Sequence, residues 1–128
     1  MKKYALLIML PAMATAEVNY SSTFIKCRSN ESNNADLANC ISEETNRQEK
    51  RLNKVYNQYL KTLSPNHSKA FKEAQRAWIK YKDLSVKAAA MEYEGGSLAG
   101  ISSSYKYMDM TIEKADEIEK LLKEANSR

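Results

Sequence analysis

Few side chains in this sequence are of types that perform catalysis, and they are not spaced to act together. His67 is the only histidine, and Cys27 and Cys40 are the only cysteines. Catalysis needs a nucleophile beside a base, a metal cluster or a converging pair of carboxylates. Ser97 has a glycine before it but lies outside a GxSxG motif and has no partner histidine nearby. The sequence therefore predicts a protein that is not an enzyme.

Metal and nucleic-acid sites are equally poorly supported. Asp36, Asp83 and Asp109 are scattered, whereas a calcium loop places several oxygen ligands within about a dozen residues. The net charge of +4 includes Lys2 and Lys3, and the remaining lysines alternate with carboxylates as on solvated helix faces. We therefore expect no metal, no cofactor and no nucleic-acid partner.

The first 16 residues have the pattern of a secretory signal peptide. A basic start, "MKK", precedes a short apolar run and the sequence Ala14-Thr15-Ala16, which is typical of a cleavage site. The apolar run is shorter than the roughly 20 residues of a membrane span. We expect residues 17–128 to form one exported domain in the periplasm.

Export also predicts the state of the cysteines. Cys27 and Cys40 both follow the signal sequence, and paired cysteines in an oxidising compartment form disulfides by default. A metal or redox pair is the weaker alternative, because no CxxC motif is present. A Cys27–Cys40 disulfide would stabilise the fold by roughly 3 kcal/mol on the loop-entropy model.

The remaining sequence favours an all-α fold. With only 3 Gly and 2 Pro, it offers few turns, and three segments have apolar residues at helical spacing. The first helix should begin with Asn34 as its cap and run to about Leu63. The second should begin at Ser64-Pro65 and end near Glu92, and the third should run from Ile101 almost to the C-terminus. We predict a small three-helix bundle whose N-terminal segment, 17–34, is irregular and tethered by the disulfide.

Two features of these helices bear on the core. The segment Ser42–Arg51, "SEETNRQEKR", has no apolar residue, so we expect this part of the first helix to stand outside the bundle or to bend. Trp78, in "EAQRAWIKYKD", is predicted at the centre of the core because a tryptophan buries a large apolar area. The residues predicted to surround it or to share its inner face are Leu52, Tyr56, Tyr59, Phe71, Ala74, Gln75, Tyr81, Ser85, Ala88 or alternatively Ala89, Met108 and Ile112.

An ordered set of residues resembles the LprI-type lysozyme-inhibitor domain of bacterial envelope proteins. The set comprises Cys27, Cys40, Leu52-Asn53, Tyr56, Gln75, Trp78, Tyr81-Lys82-Asp83 and Glu94-Gly95-Gly96-Ser97. The resemblance extends from Cys27 to about Leu122 and implies a helical envelope domain that inhibits lysozyme. Many members carry a second cysteine pair, but this chain has Ser85-Val86 and the region 105–107 in those places.

Two surfaces are candidates for contact with a lytic enzyme. The loop "YEGGSLAG" contains Tyr93, Glu94, Gly95, Gly96 and Ser97, which combine a flexible backbone with an aromatic ring, a carboxylate and a hydroxyl. It is also an ordinary way to join two helices. The third helix carries an acidic band, which is either a solvated face or a surface for a basic enzyme; its residues are Asp109, Glu113, Asp116 and Glu117.

Three functions fit these observations. The first is a periplasmic inhibitor of lysozyme or another muramidase. The second is an immunity protein against a secreted cell-wall-degrading effector, and the third is a structural or stress-related envelope module without an enzyme target.

The processing site gives a direct prediction. N-terminal sequencing of the protein recovered from a periplasmic fraction should begin at Glu17, because cleavage follows Ala16 in the signal pattern. Intact protein that starts at Met1 and stays in the cytoplasm would contradict it.

Overall fold

A computed structural model describes residues 17–128, which form four helices and no strand. These are α1 (Ser22–Ser29), α2 (Asn34–Leu60), α3 (Pro65–Met91) and α4 (Leu98–Asn126). The all-α prediction is confirmed, but the number of helices is four and not three. The predicted signal peptide lies outside the described residues. Within residues 17–128, no helix combines the length and apolarity that a membrane crossing requires.

The starts of the long helices follow from their capping residues. Ser64 caps α3, with its hydroxyl accepting a hydrogen bond from the His67 N–H, and Pro65 occupies the first turn as predicted. For α2 the cap is Asn33, one residue before the predicted Asn34, and its side chain accepts from the Asp36 N–H at 2.8 Å. The α4 helix begins at Leu98, three residues before the predicted Ile101.

The last helix, α4, is the centre of the bundle. Helices α2 and α3 both pack along it, and they contact each other through aromatic side chains, since the Phe71 ring of α3 lies 4.9 Å from the Tyr59 ring and 5.9 Å from the Tyr56 ring of α2. The buried apolar residues form two clusters along α4. The first contains Phe24, Cys40, Ile41, Met108 and Ile112, and the second contains Leu52, Val55, Tyr59, Ala115 and Ile118.

The sequence predicted an irregular N-terminal segment, but this segment contains the helix α1. Ser21 caps this helix by accepting from the Phe24 N–H, and the Phe24 side chain is completely buried. The Phe24 ring packs against Tyr20 and Tyr105, with centroids 4.9 and 6.3 Å away. A helix of eight residues with one buried side chain has no periodic pattern to detect; tertiary contacts therefore specify it.

The Cys27–Cys40 disulfide is confirmed and joins α1 to α2. Its two Cα atoms are 5.7 Å apart, within the usual range for a disulfide. Cys40 is buried in the first cluster. The bond therefore anchors α1 directly to the core.

The polar segment Ser42–Arg51 lies within the continuous helix α2 and does not stand outside the bundle. Glu44 is completely buried, and its carboxylate accepts hydrogen bonds from the Ser21 N–H at 2.7 Å and the Ser21 hydroxyl at 2.8 Å. Arg47 donates to the same carboxylate at 3.0 Å. Burial alone would raise the pKa of Glu44, but these hydrogen bonds outweigh it and lower the pKa. Glu44 thus completes the cap of α1 from another helix.

This cap predicts a pH-dependent contribution to stability. Glu44→Gln should lower the free energy of unfolding by roughly 1.5 to 3 kcal/mol at neutral pH, because it weakens a buried, charge-assisted cap. Folding favours the ionised carboxylate, so its contribution is present above the ordinary glutamate pKa of about 4.3 and is lost as the pH falls through the lowered folded-state value. Urea unfolding from pH 7 down to pH 3 measures the difference between the two proteins.

The exposed neighbour supplies the control. Glu43→Gln should change stability by less than about 0.5 kcal/mol over the same range. A Glu44→Gln effect that does not shrink at low pH would contradict the assigned role of the carboxylate.

Candidate functional site

Six of the fourteen residues of the resembling set line one groove. Helices α2 and α3 both pack on α4, and beyond the contact of the Tyr59 and Phe71 rings a groove remains between them. Its central part has a volume of about 270 Å³ and is lined by Asn53, Gln75 and Trp78 with Leu52 beneath. Thr111 of α4 contributes to the floor, and Tyr56 lines the adjoining part.

Trp78 lies at the side of this groove and not at the centre of the core. Its side chain is half-buried and packs against the second cluster, together with Tyr56 and Phe71. Met108 and Ile112, which the sequence placed beside it, belong to the first cluster. The prediction of a central tryptophan was therefore wrong: the ring packs at the edge of the second cluster and lines the groove, so it is not completely covered.

Three other residues predicted on the inner face of α3 are exposed. Tyr81 retains 64% of its accessible surface, and Ala74 and Ala88 are also exposed. Asp83 is exposed on the same helix. These positions are one residue before or after truly inward ones such as Gln75, Lys82 and Ala89, so a rotation of about 100° per residue carries them off the core face.

Lys82 belongs to the resembling set, but the sequence did not predict that its side chain is buried. Its side chain is only 8% exposed, and its ammonium lies 5.0 Å from the Trp78 ring centroid and 4.1 Å from that of Tyr107. Two aromatic faces stabilise a desolvated cation. The spacing of four residues between Trp78 and Lys82, one helical turn, is the signal that could have found this pair.

A carboxylate lies beside the aromatic pair. The Tyr107 hydroxyl donates a hydrogen bond to Glu49 of α2. That bond, together with burial, raises the pKa of Tyr107 to about 12, so the phenol stays protonated and donating at neutral pH. Through Lys82, Tyr107 and Glu49, one polar chain of contacts links α3, α4 and α2 across the floor of the groove.

The predicted acidic band is not a single free surface. Asp109 accepts a hydrogen bond from the Tyr20 hydroxyl at 2.7 Å, and burial raises the pKa of Asp109. Asp116 pairs with Arg51 at 2.7 Å, and Arg51 also binds Glu119 at 2.8 Å.

The rest of the band is open to solvent. Glu113 and Glu117 are exposed, and Glu117 pairs with Lys114. As a surface for a basic enzyme, the band is therefore reduced to these two residues.

The predicted contact loop is shorter than its sequence suggested. Residues 92–97 connect α3 to α4, while Leu98, Ala99 and Gly100 already belong to α4. Tyr93, Glu94 and Ser97 are all exposed. Gly95 has a φ of 84°, a left-handed conformation that favours glycine. The loop thus presents its side chains at one end of the α3–α4 hairpin.

The described residues form an all-helical domain with one disulfide. Among residues 17–128, no group of three or more His, Cys, Asp or Glu side chains is arranged to hold a metal ion. The model of a family described as "Lysozyme inhibitor LprI" matches residues 26–118, and the chain belongs to this family. No curated protein and no solved structure matches the chain. The matched residues include the disulfide, the groove and the loop.

The partial burial of Trp78 predicts a moderate energetic role. Trp78→Ala should lower the free energy of unfolding by roughly 2 to 3 kcal/mol, below the 3 to 5 kcal/mol typical of a fully buried aromatic residue. Tyr81→Ala, in the same helix, should cost less than about 0.5 kcal/mol in dilute protein because its ring is largely exposed. Denaturant unfolding monitored by circular dichroism measures both. Equal losses in the two variants would contradict the placement of these rings.

Proposed function

We propose that this protein is a periplasmic inhibitor that binds a peptidoglycan-cleaving enzyme and blocks it without chemistry. The observation that carries the proposal is the match of residues 26–118 to the lysozyme inhibitor family. Periplasmic location is supported by the signal-peptide pattern of residues 1–16 and by the pairing of both cysteines in a disulfide.

The loop 92–97 is the element that we propose to enter the enzyme's cleft. It lies at the end of a two-helix hairpin, and glycines at its tip leave room for close approach of the backbone. Tyr93 supplies an aromatic anchor of the kind that dominates many interfaces.

The chemistry of the target fits the side chain of Glu94. A muramidase cleft contains a protonated carboxylic acid, which acts as the general acid in glycoside cleavage. The Glu94 carboxylate can accept a hydrogen bond from that acid or pair with basic groups at the rim of the cleft. Either contact occupies the position of the substrate, so inhibition needs no catalytic residue in this chain.

The alternative functions differ in the partner. An immunity protein would bind a secreted cell-wall-degrading effector through the same kind of contact, whereas a structural envelope module would bind no lytic enzyme. Capture of c-type, g-type and phage-type lysozymes on the immobilised protein separates the inhibitor from the structural module. A toxin gene beside this one would favour the immunity protein.

Loop variants test the proposed contact. Glu94→Ala and Ser97→Ala should remain folded, and at least one should lose tenfold or more in inhibitory potency, equivalent to about 1.4 kcal/mol. Gly95→Val should also lose potency because its φ of 84° is strained for a β-branched residue. Lysozyme turbidity assays with increasing inhibitor give the potency, and circular dichroism confirms folding.

The matched control is Glu124→Ala, which removes an exposed carboxylate at the opposite end of α4 from the loop. It should retain full potency. Full potency in all three loop variants would exclude the loop as the contact. Strong salt dependence, with loss of potency in Glu113→Ala or Glu117→Ala, would then assign the contact to the acidic band.

A further inference from the structure

Helix α3 carries a second apolar stripe, on a face that points away from the core. Its spacing alternates between four and three residues over three full heptads, and every one of its seven positions is exposed. The N-terminal half of the stripe consists of Ala70, Ala74 and Ala77. The C-terminal half consists of Tyr81, Leu84, Ala88 and Met91. We call these residues the α3 seam.

The seam has the composition of a helix–helix interface. None of the charged residues of α3 falls on it, and its large side chains are well exposed, with Leu84 at 58% and Met91 at 59%. Apolar residues repeating every 3.5 positions are typical of a helix that packs along another helix in a coiled coil. The seam spans 70–91, about 32 Å of helix at 1.5 Å per residue.

We propose that the α3 seam binds the α3 seam of a second copy of this chain in the antiparallel direction. In that direction, with Tyr81 on the two-fold axis, Ala70 faces Met91 of the second copy and Ala77 faces Leu84. At these two pairs a small residue of one copy meets a large residue of the other, Ala74 faces Ala88, and the two Tyr81 rings meet as an aromatic pair. Such an interface is closed and self-complementary, as a two-fold dimer requires.

The charges beside the seam select the same direction. Glu73 and Lys87 both flank it on the side away from the core and are exposed. In the antiparallel pair, Glu73 of each copy lies beside Lys87 of the other, which gives two opposite-charge contacts against one like-charge contact between the two Lys80 side chains. In a parallel pair in register, these two residues would be 14 positions apart, about 21 Å along the helix. A parallel pair would also place each seam residue against the same residue of the second copy. Alanine would then meet alanine in the N-terminal half, and leucine and methionine would each meet their own copies in the C-terminal half.

The first test is sedimentation velocity of the purified protein, with its disulfide intact, over a range of concentrations. The expected result is a reversible monomer–dimer equilibrium. Leu84→Glu should weaken the dimer at least tenfold, because it places a charge in the apolar interface twice per dimer. Ile79→Glu is the matched control: Ile79 is a partly exposed apolar residue of the same helix, but it lines the groove and not the seam.

The second test is a charge exchange that fixes the direction. Glu73→Lys and Lys87→Glu should each weaken the dimer roughly fivefold by placing like charges together, and the double variant should recover the original affinity. Glu73 and Lys87 are both exposed, so we expect these substitutions to preserve the fold of each copy.

Three results would overturn the proposal. The first is a protein that remains monomeric at every concentration, which would leave the seam to a different helical partner. The second is equal weakening by Leu84→Glu and Ile79→Glu. The third is a double charge variant as weak as the single ones, which would exclude the antiparallel direction.

Discussion

The structure depends on the packing of two long helices against α4. Helices α2 and α3 contact each other through the rings of Tyr59 and Phe71 but pack mainly on α4, so each of them leaves part of its surface open. The apolar residues of α4 must therefore serve both neighbours, and Met108, Ile112, Ala115 and Ile118 are all completely buried. The groove between α2 and α3, the partial exposure of Trp78 and the free seam on α3 all follow from this one arrangement.

The N-terminal segment compensates for the weak apolar character of the first half of α2. It is held by the disulfide to Cys40, by the Glu44 carboxylate at Ser21, and by the Tyr20 hydroxyl on Asp109. No disulfide joins α3 to α4, because Cys27 and Cys40 are bonded to each other and no free cysteine is present among residues 17–128. In this chain the same region has noncovalent contacts only: Lys82 lies over the Tyr107 ring, and the Ser102 hydroxyl donates to the Ala89 carbonyl at 3.2 Å.

The sequence was sufficient to predict the structural features that local residue patterns determine. The sequence predicted the helix caps at Ser64 and Asn33 to within one residue, and it also predicted the apolar stripe of α4 and the pairing of the cysteines. Each of these features depends on neighbouring residues in the sequence or on the cellular compartment. The sequence did not predict the inner face of α3 correctly, because α3 has two interleaved apolar stripes and the prediction combined residues of both. Phe71 and Trp78 belong to the stripe that faces the core. Ala74, Tyr81 and Ala88 belong to the exposed stripe. The role of Glu44 was also hidden, since its partner is a backbone N–H in another helix and no side-chain pattern encodes that contact. Helix α1 was missed for a related reason, because only Phe24 marks it.

The two proposed surfaces are compatible because they occupy different parts of the same hairpin. The loop 92–97 follows directly after Met91, the last residue of the seam. In an antiparallel pair, the C-terminal ends of the two α3 helices point in opposite directions and are separated by at least the length of the seam, about 32 Å. Each loop therefore lies at one end of the dimer interface, beside the start of α3 of the second copy, and faces away from the other loop. A dimer built in this way presents two independent loops, so that binding of one enzyme at one end leaves the other end open for a second.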